Sequence, residues 1–380
     1  HPQVGILSLI FMISVSMGQY YGAKKRIEPY VTSCNCLLNM LKFCEKVEKL
    51  SAPELENYLS DLKKCRKKFG NFKRKAYFFV AGAAVSGGPE TFIIEYINYI
   101  FHFDLIQFPG IVKELKTYLD DFEKMTDVIG LLESMAAISS FRAMMPTYTT
   151  PVLRKSEKGF LIMEEGYHPM ISEPVKNSIK VESGVLITGS NASGKSTFLK
   201  TVAINAILAQ TIHTCMAQRY ESSFFRIYSS MALRDDLVGQ ESYYIVEIKA
   251  LKRILDVLDE EMPVLCFVDE VLRGTNTVER IAASSHILKS LSRDDVICFA
   301  ATHDIELTHM LETEYDNYHF QEEVKNNDIL FDYILYPGRA TSRNAIKLLS
   351  IMGYDQNIIS AAETSAERFL KTGEWTLEND

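Results

Sequence analysis

The chain has 380 residues, of which 47% are hydrophobic and 24% are charged, so it can form two or three globular domains, and disorder is excluded as its main state. Its net charge of −8 argues against a protein whose whole surface wraps nucleic acid. Residues 1–150 carry 18 basic and 15 acidic side chains, a net charge of +3, which leaves −11 for residues 151–380. Any site for a polyanion is therefore expected in the first part.

The first predicted element is an apolar N-terminal segment, residues 1–23. Residues 2–23 contain no Asp, Glu, Lys or Arg, and the 14 residues from Val4 to Met17 are strongly apolar. That core is shorter than the roughly 20 residues that a spanning helix needs, so a buried helix is favoured. The alternative is a membrane-proximal segment with Lys24, Lys25 and Arg26 on its cytoplasmic side. Because the chain begins with histidine, we expect it to be part of a longer protein.

Residues 24–150 show a helical pattern throughout. Apolar side chains at alternating steps of four and three predict one long packed helix: Ile111, Leu115, Tyr118, Phe122, Met125, Ile129 and Leu132. The same spacing occurs earlier, between Leu37 and Val47, and Pro53 can open the next helix at its first turn. This part is predicted to be an all-α domain.

A basic segment, residues 63–75, lies within the helical part and has no acidic side chain. Its eight basic residues are Lys63, Lys64, Arg66, Lys67, Lys68, Lys73, Arg74 and Lys75. Together with Phe69 and Phe72, they could hold nucleic-acid phosphates and stack on bases, or lie on an anionic membrane surface. The alternative is a solvated helix face.

The cysteines indicate a reducing environment. There are seven, an odd number, and Cys266 and Cys298 lie inside apolar runs that are typical of strands. Reduced thiols are expected of a cytoplasmic protein. Cys34 and Cys36 have no second Cys or His pair at zinc-finger spacing, so no zinc site is expected.

Residues 151–380 alternate short β-rich runs with helical ones. The predicted strands are Val181–Thr188, Val264–Val268 and Val296–Ala301, and the predicted helices are Ser196–Gln210 and Val278–Leu291. Alternation of this kind predicts an α/β domain whose largely parallel sheet is covered by helices. Its ligands are expected at the carboxyl ends of the strands.

A phosphate-binding loop follows the first of these strands. Residues 189–196 match the pattern G-x-x-x-x-G-K-[ST] and open a helix, which is the context that this motif requires. Lys195 is expected to reach the β- and γ-phosphates of ATP, and the Ser196 hydroxyl to hold Mg²⁺. The predicted nucleotide-binding residues are Gly189, Ser190, Asn191, Ala192, Ser193, Gly194, Lys195, Ser196 and Thr197.

Acidic residues end the second strand. Asp269 is expected to act as a direct or indirect partner of Mg²⁺, and Glu270 to orient and deprotonate the attacking water. His303 follows the third strand and is suited to sense the γ-phosphate, although a structural histidine is an open alternative.

The stretches around these motifs resemble one protein family. ITGSNASGKSTFLKT, PVLCFVDEVLRGTNTVER and FAATHDIEL are similar, in order and spacing, to the C-terminal ATPase domain of MutS-family DNA mismatch repair proteins. FHFDLI and LLESMAAISSF are similar to the helical core and lever of the smaller, often membrane-associated bacterial MutS-like proteins. The resemblance implies an ABC-related P-loop ATPase domain, residues 151–380, preceded by an all-α core and lever domain, residues 24–150.

The resemblance also implies a homodimer with composite ATP sites. Asn191 would help to arrange Mg²⁺ or the nucleotide, and Ser242 would point from a helix start at the γ-phosphate held by the other subunit. The loop 273–277 would lie at the dimer interface. Tyr167 stands where the family usually has arginine, and only about 150 residues precede the ATPase domain, so a mismatch-reading domain is not expected.

The sequence therefore predicts a MutS-like ATPase of DNA mismatch repair that acts as a cytoplasmic homodimer, hydrolyses ATP with Mg²⁺ and binds DNA. The alternative is a membrane-associated ABC-type ATPase that couples the same cycle to a protein or lipid partner without recognising mismatches.

Overall fold

The computed structural model describes residues 2–81, 101–190, 192–231, 243–258, 261–325, 328–340 and 345–373. The chain divides into two compact units, His1–Ser140 and Phe141–Asp380. This division lies somewhat before the boundary expected after residue 150. The boundary expected after residue 23 has no counterpart in the backbone, because one helix runs through it.

The first unit is helical. Its elements are α1 (Pro2–Val47), a 3₁₀ turn (Pro53–Leu55), α2 (Glu56–Lys68), α3 (Gly70–Ala81), α4 (Phe103–Thr117) and α5, which extends over Leu119–Met144. Apolar side chains spaced three and four apart on these helices form one buried core, which includes Leu41, Leu62, Phe72, Ile111 and Met125. Pro53 opens the 3₁₀ turn that precedes α2, in keeping with its expected place at a helix start.

The regularly spaced apolar side chains from Ile111 to Leu132 do pack inward, but the prediction of one continuous helix is wrong. The helix is interrupted at Tyr118, which ends α4 with φ −116°. The Tyr118 N–H donates to Glu114 O at 3.1 Å. Apolar spacing persists across the break because both helices face the same core. The spacing alone could not reveal the change in backbone direction.

The N-terminal part of α1 is exposed, so the favoured prediction of a buried helix is wrong. Side chains between Val4 and Met17 are 38–69% exposed wherever the structure describes a large hydrophobic residue there. Burial in the first unit begins at Tyr20, whose hydroxyl donates to Asp104 Oδ2 at 2.6 Å.

The second unit alternates strands and helices. Its strands are β1 (Val152–Arg154), β2 (Leu161–Gly166), β3 (Asn177–Val181), β4 (Gly184–Thr188), β5 (Arg219–Ser223), β6 (Arg226–Ser230), β7 (Val264–Asp269), β8 (Val296–Ala301), β9 (Tyr315–His319), β10 (Glu322–Lys325), β11 (Asp328–Phe331) and β12 (Tyr336–Pro337). Its helices are α6 (Lys195–Ile212), α7 (Tyr243–Leu255), α8 (Thr277–Ser290), α9 (Ile305–Met310), α10 (Ala345–Ile351) and α11 (Gln356–Thr372).

Six strands form the sheet that carries the site, in the order β12-β9-β4-β8-β7-β6. The pairs β9–β4, β4–β8, β8–β7 and β7–β6 are parallel, and β12 pairs antiparallel with β9. β4 and β8 are buried along their whole length, as expected of apolar strands covered on both faces. The carboxyl ends of β4, β7 and β8 consequently meet at one edge of the sheet.

The remaining strands form a mixed four-stranded sheet, β1-β5-β2-β3, and a hairpin of β10 and β11. The predicted strand Val181–Thr188 is divided between two sheets: β3, in the four-stranded sheet, ends at Val181, and β4, in the six-stranded sheet, begins at Gly184. A side chain at Gly184 would place its Cβ 2.5 Å from the Tyr315 ring, so glycine lets β4 approach β9.

Candidate functional site

Two glycines determine the path of the loop between β4 and α6. Gly189 has φ +146° and Gly194 has φ +110°, values that side chains rarely tolerate. A Cβ on Gly189 would lie 2.9 Å from the carbonyl oxygen of Phe320. Glycine is therefore required for this path. Asn191, predicted as part of the site, lies outside the described residues.

The ammonium group of Lys195 lies inside this loop. The side chain is 5% exposed, and Nζ donates to Gly189 O at 2.7 Å and Ser190 O at 2.8 Å. Burial lowers the pKa of Lys195, and the nearby carboxylates of Glu270, Asp269 and Glu322 partly oppose that change. A desolvated cation whose hydrogen bonds go to carbonyl oxygens is well suited to bind an anion.

The hydroxyl groups of the loop differ in their surroundings. Ser190 Oγ donates to Glu322 Oε2 at 2.8 Å, which ties the loop to β10. Ser193 Oγ is buried and has no hydrogen-bond partner among the described residues. Ser196 is half-buried in the first turn of α6, and Thr197 is exposed. The hydroxyl groups of Ser193 and Ser196 can therefore form further hydrogen bonds close to the Lys195 backbone.

The acidic pair lies at the end of β7, as predicted. Glu270 has φ +58°, and its N–H donates to Ala301 O at 2.9 Å. Its Oε1 is 3.2 Å from His303 Nε2, and its Oε2 accepts from Arg273 Nε at 2.8 Å. Asp269 Oδ1 is buried and accepts no hydrogen bond from the residues that the structure describes. A buried carboxylate oxygen without a donor is suited to a cation or to a water bound to one.

His303 connects the lysine and the glutamate. Its Nε2 lies 3.5 Å from Lys195 Nζ and 3.2 Å from Glu270 Oε1. Burial lowers the pKa of His303, and the Lys195 charge lowers it further, while Glu270 opposes both. The lowered pKa favours the neutral imidazole, which can donate or accept one hydrogen bond at Nε2. The next residue, Asp304, is held by Arg280 at 2.6 Å.

Two cavities border the loop and the acidic pair. One, of about 290 Å³, is lined by Glu270, Arg273, Arg280, His303 and Asp304, among others. The other, of about 310 Å³, lies on the far side of Gly194 and is lined in part by His168, Thr197, Phe320 and Tyr333. The second cavity has the more apolar lining, whereas the first carries charge of both signs.

Several residues of the site escaped prediction from the sequence. Arg273 was assigned only to an interface loop, although its spacing of three from Glu270 permits the ion pair that the structure shows. Phe320, directly after β9, and Tyr333, two residues after β11, line the Gly194 cavity, and nothing local in the sequence marks them. Tyr167 is buried, and its hydroxyl donates to Thr147 O.

The basic segment is not the surface that the sequence predicted. Phe69 and Phe72 are 2% and 0% exposed in the helical core, so the prediction that they stack on bases is wrong. Five of the eight basic side chains pair with carboxylates of the same unit: Lys64 with Asp61, Arg66 with Glu45 and Glu48, Lys68 with Asp121, Lys73 with Glu45, and Lys75 with Glu114. Within the part of the chain that the structure describes, Lys63, Lys67 and Arg74 are exposed and have no such partner.

Comparison with known proteins places the loop and the acidic pair in one family domain. Residues 185–370 match MutS domain V. The chain is 29% identical over 276 residues to the DNA mismatch repair protein MutS of Thermotoga petrophila, which covers 70% of this chain and 34% of that protein. It is 28% identical over 256 residues to the MutS of Thermus thermophilus, covering 66% and 31% of the two chains.

A eukaryotic relative matches the same part. The chain is 29% identical over 257 residues to MutS protein homolog 4 of Mus musculus, covering 64% of this chain and 26% of that one. The chain thus spans about a third of the length of the curated relatives that it matches.

The charges around His303 give a testable titration. Because the Lys195 charge depresses the pKa of His303 and Glu270 raises it, Lys195→Met should raise that pKa, and Glu270→Gln should lower it. In the unmodified chain the pKa should lie below 6.5. The measurement is an NMR titration of the histidine rings, with His303→Gln to assign the signal and exposed His286 as the internal reference. A His303 pKa that falls in Lys195→Met would contradict the geometry.

Proposed function

We propose that this chain, a member of the MutS family through its domain V, binds and hydrolyses ATP with Mg²⁺ and uses the cycle to switch a homodimer between two states. One observation carries the proposal. Lys195 begins the helix that follows β4, and His303 and Glu270 follow β8 and β7, yet the three form one continuous chain of contacts of 3.5 and 3.2 Å. A phosphate-binding lysine beside a carboxylate base is the arrangement that phosphoryl transfer to water requires. This domain is proposed to be ABC-related.

The residues present fit Mg²⁺–ATP. The Gly189–Gly194 path and the Lys195 ammonium suit the phosphates, and exchange of the carbonyl contacts of Lys195 for phosphate oxygens would strengthen its hydrogen bonds. Ser196 and the unpartnered Asp269 Oδ1 suit Mg²⁺ and its waters. When bound, Mg²⁺–ATP supplies the γ-phosphoryl group and a divalent charge that balances its oxygens. The apolar cavity beside Gly194 suits the nucleoside part.

Glu270 performs the proton transfer in this proposal. Its carboxylate accepts a proton from the attacking water, while Arg273 and His303 hold its two oxygens in place. His303 lies between Glu270 and Lys195, so its imidazole borders both the base and the phosphate-binding lysine. Thr302 and Asp304, held by hydrogen bonds to the sheet and to Arg280, fix the position of the imidazole.

The dimer rests on the family resemblance. We propose that each ATP site is completed by Ser242 of the partner subunit and that the loop 273–277 lies at the interface. Ser242 lies outside the described residues, so its part in the site is proposed from the sequence. Arg273 supports the interface assignment, because its side chain is exposed even though it holds Glu270.

Replacement of the base tests the reaction directly. Glu270→Gln keeps the size of the side chain but cannot take a proton, so kcat should fall roughly 10²- to 10⁴-fold. The affinity for ATP should stay within about threefold of the wild-type value, because a contact to the phosphates does not depend on Glu270. Steady-state hydrolysis and nucleotide binding on the same protein measure the two effects. Glu279→Gln, an exposed change on α8, is the matched control. Wild-type turnover in Glu270→Gln would exclude this residue as the base.

DNA binding is proposed for the first unit, with Lys63, Lys67 and Arg74 as its contacts. Lys63 and Lys67 are separated by one helical turn on α2, and Arg74 lies on α3. Exposed basic side chains that are not paired with a carboxylate of the described residues can neutralise phosphates without breaking an internal ion pair. The mismatch-repair relatives match a third or less of their length, so recognition of mispairs is not proposed for this chain alone.

A salt series tests that contact. Changing Lys63, Lys67 and Arg74 together to Glu should weaken binding to duplex DNA and reduce the slope of log K against log salt by up to about 2.7, since each phosphate contact contributes about 0.9. Changing Lys113, Lys116 and Lys124, exposed in the same unit, to Glu gives the same change in net charge. Equal effects in the two variants would show a general charge effect and would remove the three residues as the DNA site.

We also propose that the start of α1 lies in a lipid bilayer. One helix among the described residues, Gln3–Val47, is long and apolar enough to cross a membrane. Its exposed hydrophobic side chains include Leu7, Phe11, Met12 and Ile13, which point to all sides of the helix rather than to one face. A helix that is apolar all round is typical of a fully surrounded segment, whereas a groove on a partner protein covers one stripe.

Length and charge agree with this bilayer proposal. The part of α1 before Tyr20, residues 2–19, would span about 27 Å at 1.5 Å per residue, close to the roughly 30 Å of a hydrocarbon core. Lys24, Lys25 and Arg26 follow at the level of the headgroups, where basic residues mark the cytoplasmic side. Residues after that point, including the ATPase domain, are then cytoplasmic.

Flotation with vesicles of phosphatidylcholine and phosphatidylglycerol tests the insertion. The protein should float with the vesicles and remain bound in 1 M salt, and Ile6→Asp, Phe11→Asp and Ile13→Asp together should abolish flotation, because each costs about 2.5–3.5 kcal/mol at the centre of a bilayer. Asp at Met310, Met352 and Tyr354, which are exposed elsewhere, is the control. A protein that stays in solution, or that salt removes, would contradict insertion.

A further inference from the structure

A buried carboxyl group on α7 has no role in the site as described so far. Glu247 is 1% exposed. Its Oε1 accepts a hydrogen bond from the N–H of Leu272 at 2.5 Å, and its Oε2 has no partner among the described residues. A buried carboxyl group with one unsatisfied oxygen destabilises a fold, so its hydrogen bond with the Leu272 N–H points to a purpose there.

The backbone at Leu272 has an uncommon conformation. Glu270 has φ +58° and Leu272 has φ +57°, so two residues with side chains adopt the left-handed region on either side of Val271. Such residues persist only where the surrounding structure holds them, and they occur mostly at functional sites. The first of the two is the proposed catalytic base.

α7 is the element that holds this turn. A Cβ on Gly274 would lie 3.2 Å from Tyr244 Cβ, so the loop after the turn runs directly against α7. Val271 and Leu272 pack in the same core as Leu251 of α7. On the other side, Ser284 Oγ donates to Val271 O at 3.3 Å. Among these contacts, the Glu247 bond is the one that fixes the N–H of a left-handed residue.

The turn decides where the Glu270 carboxylate points. Its two oxygens meet His303 at 3.2 Å and Arg273 at 2.8 Å in this left-handed conformation of Glu270. If the Leu272 N–H lost its acceptor, Leu272 could return to an ordinary conformation, and Glu270 would rotate with it. Glu247 is thus connected to the contacts of Glu270 through three consecutive residues, Leu272, Val271 and Glu270.

We propose that Glu247 is a positioning residue: by accepting the Leu272 N–H bond, it keeps the Glu270–Leu272 turn left-handed and so directs the Glu270 carboxylate to His303. The effect on hydrolysis rests on the proposed ATPase function, whereas the effect on His303 does not. Glu247 needs only an acceptor oxygen for this task. Burial raises the pKa of Glu247, and the neighbouring Glu270 charge raises it too, against the hydrogen bonds from the Leu272 and Arg273 backbone. A neutral side chain with a carbonyl oxygen should therefore replace it.

Three variants at this position separate positioning from packing. Glu247→Gln keeps the acceptor, Glu247→Leu fills a similar volume without one, and Glu247→Ala removes both. Leu251→Ala, one turn further along α7, removes buried volume but no bond to the turn and is the matched control. Circular dichroism and thermal unfolding establish that each variant is folded, and Glu247→Leu keeps the test available if Glu247→Ala does not fold.

The first readout is the NMR titration of His303, which needs neither ATP nor turnover. Glu270 raises the pKa of His303, so loss of their contact in Glu247→Leu and Glu247→Ala should lower that pKa, while Glu247→Gln and Leu251→Ala should leave it unchanged. An unchanged titration in folded Glu247→Leu overturns the proposal. So does an equal change in Leu251→Ala, because packing alone would then account for it.

The second readout is ATP binding and hydrolysis by the same proteins. Misplacement of the base should lower kcat of Glu247→Leu roughly 10- to 100-fold. ATP affinity should stay within about twofold, and Glu247→Gln should restore kcat. If the unmodified chain does not hydrolyse ATP, the proposed function fails, but the His303 titration still decides the role of Glu247. If the unmodified chain is active and Glu247→Leu matches it in both readouts, the positioning role alone fails.

Discussion

A buried ammonium group organises this site. Lys195 begins α6, and its Nζ lies inside the loop that precedes it, bonded to the carbonyl oxygens of Gly189 and Ser190. Water barely reaches the charge, so the fold must surround it with dipoles and carboxylates. The carbonyl oxygens of the loop and the carboxylates at the end of β7 meet that requirement. An anion entering the loop would satisfy it more fully, and this is why the geometry favours phosphate.

Parallel strands bring the rest of the chemistry to the same edge. β4, β8 and β7 are neighbours, so the loop, His303 and Glu270 follow one another across the sheet. Their fine placement depends on side chains outside the strands: Arg273 and Arg280 hold the polar groups, and Glu247 holds the turn. The sheet thus determines which residues meet, and the surrounding helices determine how they are oriented.

The sequence predicted the parts of this arrangement that depend on local pattern. The loop motif, the apolar runs before Asp269 and His303, and the helix after Lys195 are all local, and all occur where expected. Features that depend on distant partners could not be predicted. The spacing around Tyr118 did not reveal the helix break, and composition could not distinguish buried Phe69 and Phe72 from exposed aromatics. Neither Glu247 nor Tyr333 is marked by its neighbours in sequence, because each acts on a loop far along the chain.

Calorimetric titration of the purified chain with ATP, in Mg²⁺ and in EDTA, tests the central claim that the Lys195 loop is a phosphate site. The account predicts saturable binding of one ATP per chain, weakened when Mg²⁺ is removed and lost in folded Lys195→Met. AMP, which lacks the β- and γ-phosphates, should bind far more weakly. Equal affinity of the unmodified chain and Lys195→Met for ATP, or equal affinity for ATP and AMP, would contradict it.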